Sequence, residues 1–114
     1  MKNKFNAKKC EADGYSFDSK KEMNYYLSHL KPRLQSGEIS DLELQPCYTL
    51  HPGFKDFLGR KRIAITYTPD FKYYDKVDKQ WVIVDVKGFR TDVYKIKLKL
   101  FLKLLPENTI FIEA

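Results

Sequence analysis

Asp70, Asp85 and Lys87 are the residues whose types and spacing could do chemistry. The segment Asp75 to Gln80 is polar and predicts a tight turn between two strand-like segments. If that turn is centred between Val77 and Asp78, Asp70 falls directly opposite Asp85, with Cβ atoms about 4.5–5.5 Å apart. Opposed residues point to the same face, so two carboxylates converge on one spot. Like charges placed this way destabilise a sheet. A divalent cation between them removes the penalty, and hard oxygen ligands suit Mg²⁺ or Mn²⁺. Lys87 lies two residues beyond Asp85 and shares its face. An ammonium beside a two-acid metal site can position an attacking water and stabilise charge developing on a phosphate. The pairing depends on the turn centre, because a one-residue slip sends one acid to the other face.

Glu22 is a third acid. It lies one turn into a predicted helix, on a stripe with Tyr26 and His29. Ser19-Lys20-Lys21-Glu22 also matches a capping box, S-x-x-E, which needs no metal. Gln45 stands before Pro46, where it is either a sheet-edge hydrogen bonder or a residue behind the acid pair. Basic side chains supply candidate contacts to a phosphate backbone. Lys95, Lys99 and Lys103 form one stripe of the second helix. Lys97 falls among the apolar Val93, Leu100, Phe101 and Leu104, so it either snorkels or reaches toward the acids. Lys20, Lys21 and the run Arg60-Lys61-Arg62 extend the basic set. Such contacts bind without reading sequence and weaken with salt. Tyr25 and Tyr73 could stack on a base if exposed.

The elements that must place these groups follow from pattern. Residues 1–14 form a basic flexible arm, with an edge strand near Tyr15 to Phe17. A helix starts at Asp18 or Ser19, presents Met23, Leu27, Leu30 and Leu34, is bent by Pro32, and stops at Gly37. Three strand segments follow: Ile39 to Leu50, Arg62 to Tyr74, and Trp81 to Val86. The last is nearly all apolar and predicts a central strand covered on both faces. His51 to Lys61, with two glycines, predicts a loop. A second helix runs from about Asp92 to Leu105 with Thr91 as cap. Thr109 to Ile112 is a final strand, placed parallel to a central strand by a right-handed crossover. The order is αβββαβ: an α/β fold with a mixed sheet flanked by helices, in a single domain over residues 15–114.

Composition fits that frame. The 114 residues suffice for one domain. Lys plus Arg number 21 against 15 Asp plus Glu, a net charge of +6 that favours anionic partners. No apolar run approaches the ~18 residues of a membrane span, and no signal peptide is apparent. Cys10 and Cys47 form no metal or disulfide pattern, and His29 and His51 are isolated, so zinc is not predicted.

Pro69-Asp70 followed by Asp85-Val86-Lys87 resembles the PD-(D/E)xK motif of the restriction-endonuclease-like nuclease superfamily, which also has an αβββαβ core. The resemblance covers about residues 15 to 114. Phe17 to Glu22, Gln45-Pro46 and Tyr67 to Phe71 are similar to a family of short phage and prophage proteins in that superfamily, and to the catalytic domain of the TnsA transposon endonuclease. The resemblance implies hydrolysis of DNA phosphodiester bonds with Mg²⁺ (or Mn²⁺). It implies that Asp70 and Asp85 bind metal, that Lys87 orients the water, and that Glu22 joins the site directly or through water. Here the second acid is Asp, which the motif allows. The leading expectation is a Mg²⁺-dependent deoxyribonuclease in the cytoplasm of a bacterial host, acting on recombination or replication intermediates such as branched DNA. A homodimer acting on two strands suits so small a domain. The alternative is a nuclease-fold protein without catalysis that binds DNA or a partner.

Overall fold

Asp13 and Gly14 take left-handed backbone angles, φ 53° and 83°. A two-residue hairpin turn demands such angles, and Asp-Gly adopts them readily. They join β1 (Cys10–Ala12) to the antiparallel β2 (Tyr15–Phe17). The structure, a computed structural model, describes residues 9–114. Residues 10–14, assigned from the sequence to the arm, thus form a strand and its turn. Residues 1–8 of that arm lie outside the described residues.

Ser19 caps the first helix by accepting the Glu22 amide at 3.1 Å. The helix runs through α1 (Lys20–Tyr25), a π-helical turn (Tyr26–Leu30) and α2 (Lys31–Ser36), and ends at Gly37 with φ 82°. The wide turn lies just before Pro32. It absorbs the missing N–H and the clash that proline brings to a regular helix. It also shifts the helical phase. Tyr26 and Leu30 are buried while Leu27, predicted for the apolar face, is exposed.

Two prolines divide the predicted strands. Proline gives no N–H to a ladder, so strands end beside it. Ile39 to Leu50 becomes β3 (Ile39–Leu44) and β4 (Tyr48–His51), broken at Gln45-Pro46. The predicted loop instead forms a small hairpin of β5 (Phe54–Lys55) and β6 (Lys61–Arg62). Arg62 to Tyr74 becomes β7 (Ile65–Tyr67) and β8 (Phe71–Asp75), broken at Thr68-Pro69. β4 pairs with β7, so β4 to β7 make a ribbon leaving the main sheet. β9 (Gln80–Asp85), α3 (Asp92–Leu104) and β10 (Thr109–Glu113) follow.

The main sheet has the order β10-β9-β8-β3. β8 is antiparallel to both its neighbours and β10 is parallel to β9, so the sheet is mixed. β9 is covered on both faces, as its apolar run predicts. Val82 and Val84 pack with Phe17, Tyr26, Leu30 and Phe71. Ile83 packs with Tyr67, Tyr94 and Phe101 on the other side. On α3 Tyr94 and Phe101 are buried, with Leu98 and the capping Leu105 half-buried on the same stripe. Val93, Leu100 and Leu104, predicted to flank Lys97 in the core, are exposed. No helix among the described residues is long and apolar enough to cross a membrane.

The β8–β9 register is the predicted one: Asp75 faces Gln80, Tyr73 faces Val82, and Phe71 faces Val84. Asp75 fixes it at the turn. One carboxylate oxygen accepts the amides of Val77 and Asp78, at 2.9 and 3.1 Å. The other accepts Arg33 Nη2 at 3.2 Å. The Asp78 amide above all, with the Val77 amide and Arg33, holds the Asp75 carboxyl below its ordinary range despite burial. Replacing Asp75 with Ala should cost about 2 kcal/mol in urea unfolding at pH 7. A lowered carboxyl stabilises the fold above the unfolded-state value of about 3.9, and that stability is lost as pH falls through the folded value. The gap between wild type and Asp75→Ala should therefore narrow below about pH 4. A gap constant with pH would contradict this role.

Candidate acid-pair site

Asp70 and Asp85 meet at the end of the β8–β9 hairpin. Beyond the Phe71–Val84 pair, the Asp70 amide still donates to the Val84 carbonyl at 3.0 Å. The Asp70 carboxylate turns across the end of β9 and accepts the Val86 amide at 2.6 Å. Pro69 is buried, which fixes the chain entering Asp70. Asp85 is near enough to raise the proton affinity of the Asp70 carboxyl.

Asp85 is fully buried. Its Oδ2 accepts the Tyr67 hydroxyl. Its Oδ1 is buried without a hydrogen-bond partner, although Lys87 Nζ lies 3.3 Å away as an ion pair without hydrogen-bond alignment. Burial first, then the bond to Asp85, push the Tyr67 hydroxyl far above its ordinary value, so it remains a donor. Burial is also the main reason that the Asp70 carboxyl lies well above the usual carboxylate range. The neighbouring Asp85 adds to that shift, the Val86 amide opposes it, and the charge of Glu22 reinforces it.

Lys87 is held from three sides. Its amide donates to the Ala114 carbonyl at 3.0 Å, and its carbonyl accepts Lys21 Nζ at 3.0 Å. Its ammonium sits 4.6 Å from the Tyr94 ring centroid, a cation–π contact. Next to it opens a cleft of ≈ 300 Å³ lined by Thr66, Tyr67, Thr68, Lys87, Thr91 and Lys97, with Val93 and Tyr94. Its wall offers hydroxyls and two ammonium groups, and none of the residues lining it is a carboxylate. Such a donor set suits an anion of phosphate type.

The remaining sequence candidates fall into place unequally. Glu22 takes part in the cap: its Oε2 accepts the Ser19 hydroxyl at 2.9 Å. It is also near enough to raise the proton affinity of Asp70. Gln45 connects through its backbone, its amide donating to the Asp70 carbonyl at 2.9 Å. Lys97 stands in the cleft wall, Lys21 braces the Lys87 backbone, and Lys20, Lys95 and Lys99 are exposed. Lys95 and Lys99 line a different depression, with Arg90 and Glu113. Tyr73 is buried and Tyr25 stacks on Phe71, so neither is an exposed platform for a base.

Three residues at the site were not singled out in the sequence. Tyr67 donates to Asp85, Tyr94 lies under Lys87, and Glu113 pairs opposite Asp85 on β10. Glu113 is bound by Arg90 and the Tyr94 hydroxyl. Tyr94 could be found from its i, i+4, i+7, i+11 spacing with Leu98, Phe101 and Leu105. Tyr67 and Glu113 carry no such signal.

Among the described residues, no group of three or more His, Cys, Asp or Glu side chains is placed to hold a metal ion. The two-carboxylate arrangement still fits Mg²⁺, which commonly takes one or two carboxylates and keeps several waters. The partnerless Asp85 Oδ1 is a further point of fit, since a buried carboxylate oxygen needs a compensating charge or donor.

The acid pair has a measurable consequence without metal. A carboxyl raised in the folded state costs stability as pH rises from the unfolded value of about 3.9 toward the folded one. Asp70→Asn removes that cost. In chelator, the variant should melt several degrees above wild type at pH 8, with the difference closing near pH 4. An unchanged or lower melting temperature at pH 8 would contradict the geometry.

No curated protein and no solved structure matches this chain. A family model described as "Protein of unknown function (DUF1064)" matches residues 2–112. With nearly its whole length matched, the chain belongs to the DUF1064 family.

Proposed function

We propose that this protein is a metal-dependent DNA endonuclease with a restriction-endonuclease-like core. The observation that carries this reading is the acid pair beside a cationic cleft. Asp70 and Asp85 lie near one another at one end of β9, and Lys87 pairs with Asp85 while lining the cleft of hydroxyls and ammonium groups. The strand order β3-β8-β9-β10, with α1 before it and α3 within it, supports the αβββαβ assignment.

In this reading Asp70 and Asp85 hold Mg²⁺ or Mn²⁺. When bound, the cation supplies Lewis-acid stabilisation and lowers the pKa of a coordinated water. The chain's own residues do the rest. Lys97 and the hydroxyls of Thr66, Thr68 and Thr91 donate to non-bridging phosphate oxygens and fix the phosphodiester in the cleft. Lys87, 3.3 Å from Asp85, orients the water and neutralises developing charge. The water oxygen forms a bond to phosphorus and its proton leaves to solvent, while the bond from phosphorus to the departing sugar oxygen breaks and that oxygen takes a proton from solvent. Tyr67 and Tyr94 hold Asp85 and Lys87 in place. Glu22 biases Asp70 from the start of α1. The basic exposed residues Lys20, Lys95 and Lys99 track the DNA backbone, and a host-cell phage context with branched intermediates fits the resemblance.

The test is cleavage of supercoiled, linear and four-way-junction DNA with Mg²⁺ or Mn²⁺. Wild type should cut and Asp85→Ala should not. Lys87→Ala should lose about a hundredfold or more in rate. DNA binding without cleavage under any of these conditions would favour the non-catalytic binding protein. Cleavage that survives Asp85→Ala would remove these residues from the reaction.

A further inference from the structure

The ribbon β4–β7 ends in a tip that is apolar where a turn in water is usually polar. Phe57 is 95 % exposed and Leu58 66 %. The tip is not slack. The Asp56 amide donates to the Arg60 carbonyl at 2.9 Å, and the Gly59 amide donates to the Asp56 carbonyl at 2.8 Å. Asp56 Oδ1 accepts the amides of Leu58 and Arg60, and its Oδ2 accepts Arg62 Nε at 3.0 Å. Gly59 supplies the left-handed angle, φ 82°, that closes the turn. Phe57 and Leu58 are thus displayed on a braced backbone, where they gain nothing from the fold.

Charge indicates what they meet. Lys55, Arg60, Lys61 and Arg62 surround the tip, and the one acid there, Asp56, has both oxygens engaged inside the turn. An apolar point in a cationic collar is complementary to a polyanion with an apolar interior. Stacked base pairs between two phosphate backbones have that character. Two-stranded ribbons fit a DNA groove, and apolar side chains there can wedge between base steps.

We propose that the ribbon tip is a DNA wedge: Phe57 and Leu58 enter between neighbouring base pairs while Lys55, Arg60 and Lys61 hold the flanking phosphates. The proposal rests on the nuclease reading for DNA as the polyanion and deepens it. The same ribbon continues through β7, whose Thr66 and Tyr67 line the cleft beside the acid pair. Unstacking at the tip and positioning at the cleft are therefore linked by a few residues of strand. Selection then favours DNA that is cheap to unstack, such as mismatched or branched DNA, without base-edge contacts.

The experiment uses full-length protein in EDTA, with duplex and four-way-junction DNA carrying 2-aminopurine. Wild type should raise the 2-aminopurine fluorescence. The double variant Phe57→Ala/Leu58→Ala should keep the wild-type circular dichroism, lose the fluorescence rise and bind about tenfold more weakly. Its salt dependence should be unchanged, because it removes no charge. Arg60→Ala/Lys61→Ala should instead flatten the salt slope by about two. Equal binding and fluorescence for Phe57→Ala/Leu58→Ala and wild type would overturn the wedge, as would failure of wild type to bind either DNA. So would a wild-type dimer that this substitution makes monomeric with DNA binding intact, since the tip would then join two copies. Unstacking without metal-dependent cleavage would leave the wedge standing and overturn the nuclease reading. Cleavage with unchanged binding by the tip variant would do the reverse.

Discussion

In an antiparallel hairpin the register leaves no freedom over which residues face each other. Asp75 sets the turn, and the ladder it starts runs to the Phe71–Val84 pair. Asp70 lies just beyond it, its amide bonded to the Val84 carbonyl rather than paired with Asp85, and brings its carboxyl beside Asp85. Two carboxylates in a part-buried place repel, and Asp85 is fully removed from water. The surroundings of the pair can be understood as answers to that one conflict. Tyr67 and the Val86 amide each donate to one carboxyl, and Lys87 brings a positive charge to Asp85. These donors do not suffice, since Asp70 retains a raised proton affinity and Asp85 Oδ1 retains no hydrogen bond. What remains is an uncompensated acid pair, which the proposed divalent cation would neutralise.

The rest of the fold holds this conflict in position. α1 abuts the end of β9 through Lys21, and β10 continues its pairing past Asp85 through Ala114. α3 crosses the same face and brings Tyr94 under Lys87 and Lys97 into the cleft wall. The ribbon contributes Thr66 and Tyr67 to the same cleft. Contributions thus come from β7, β8, β9, β10, α1 and α3, which lie far apart in sequence. Preorganised groups of this kind are effective because they need no rearrangement when charge develops.

Much of this was legible in the sequence where local rules govern. The hairpin register from Asp75–Gln80 to Phe71–Val84 followed from a short polar turn, but the ladder stops before the expected Asp70–Asp85 pair. Thr91 as cap and the continuous apolar run of β9 followed from equally local chemistry. Strand limits were less legible. Pro46 and Pro69 each mark a break, but not that the segments beyond them pair with each other as a ribbon. The π-helical turn before Pro32 inserted a residue that strict 3.6-residue spacing does not contain, so Leu27 was assigned to the wrong face. Tyr67 and Glu113 were out of reach for a different reason. Their nearness to Asp85 depends on a ribbon bend and a parallel register, and no turn ties either to its neighbour in sequence.

The central proposal is that Asp70 and Asp85 together hold a divalent cation. Titration calorimetry with Mn²⁺ at pH 7.5, in buffers of different ionisation enthalpy, tests it most directly. Wild type should bind with release of about one proton per cation, and Asp85→Asn should lose the binding while remaining folded. No binding by wild type, or binding that Asp85→Asn leaves unchanged, would contradict the account.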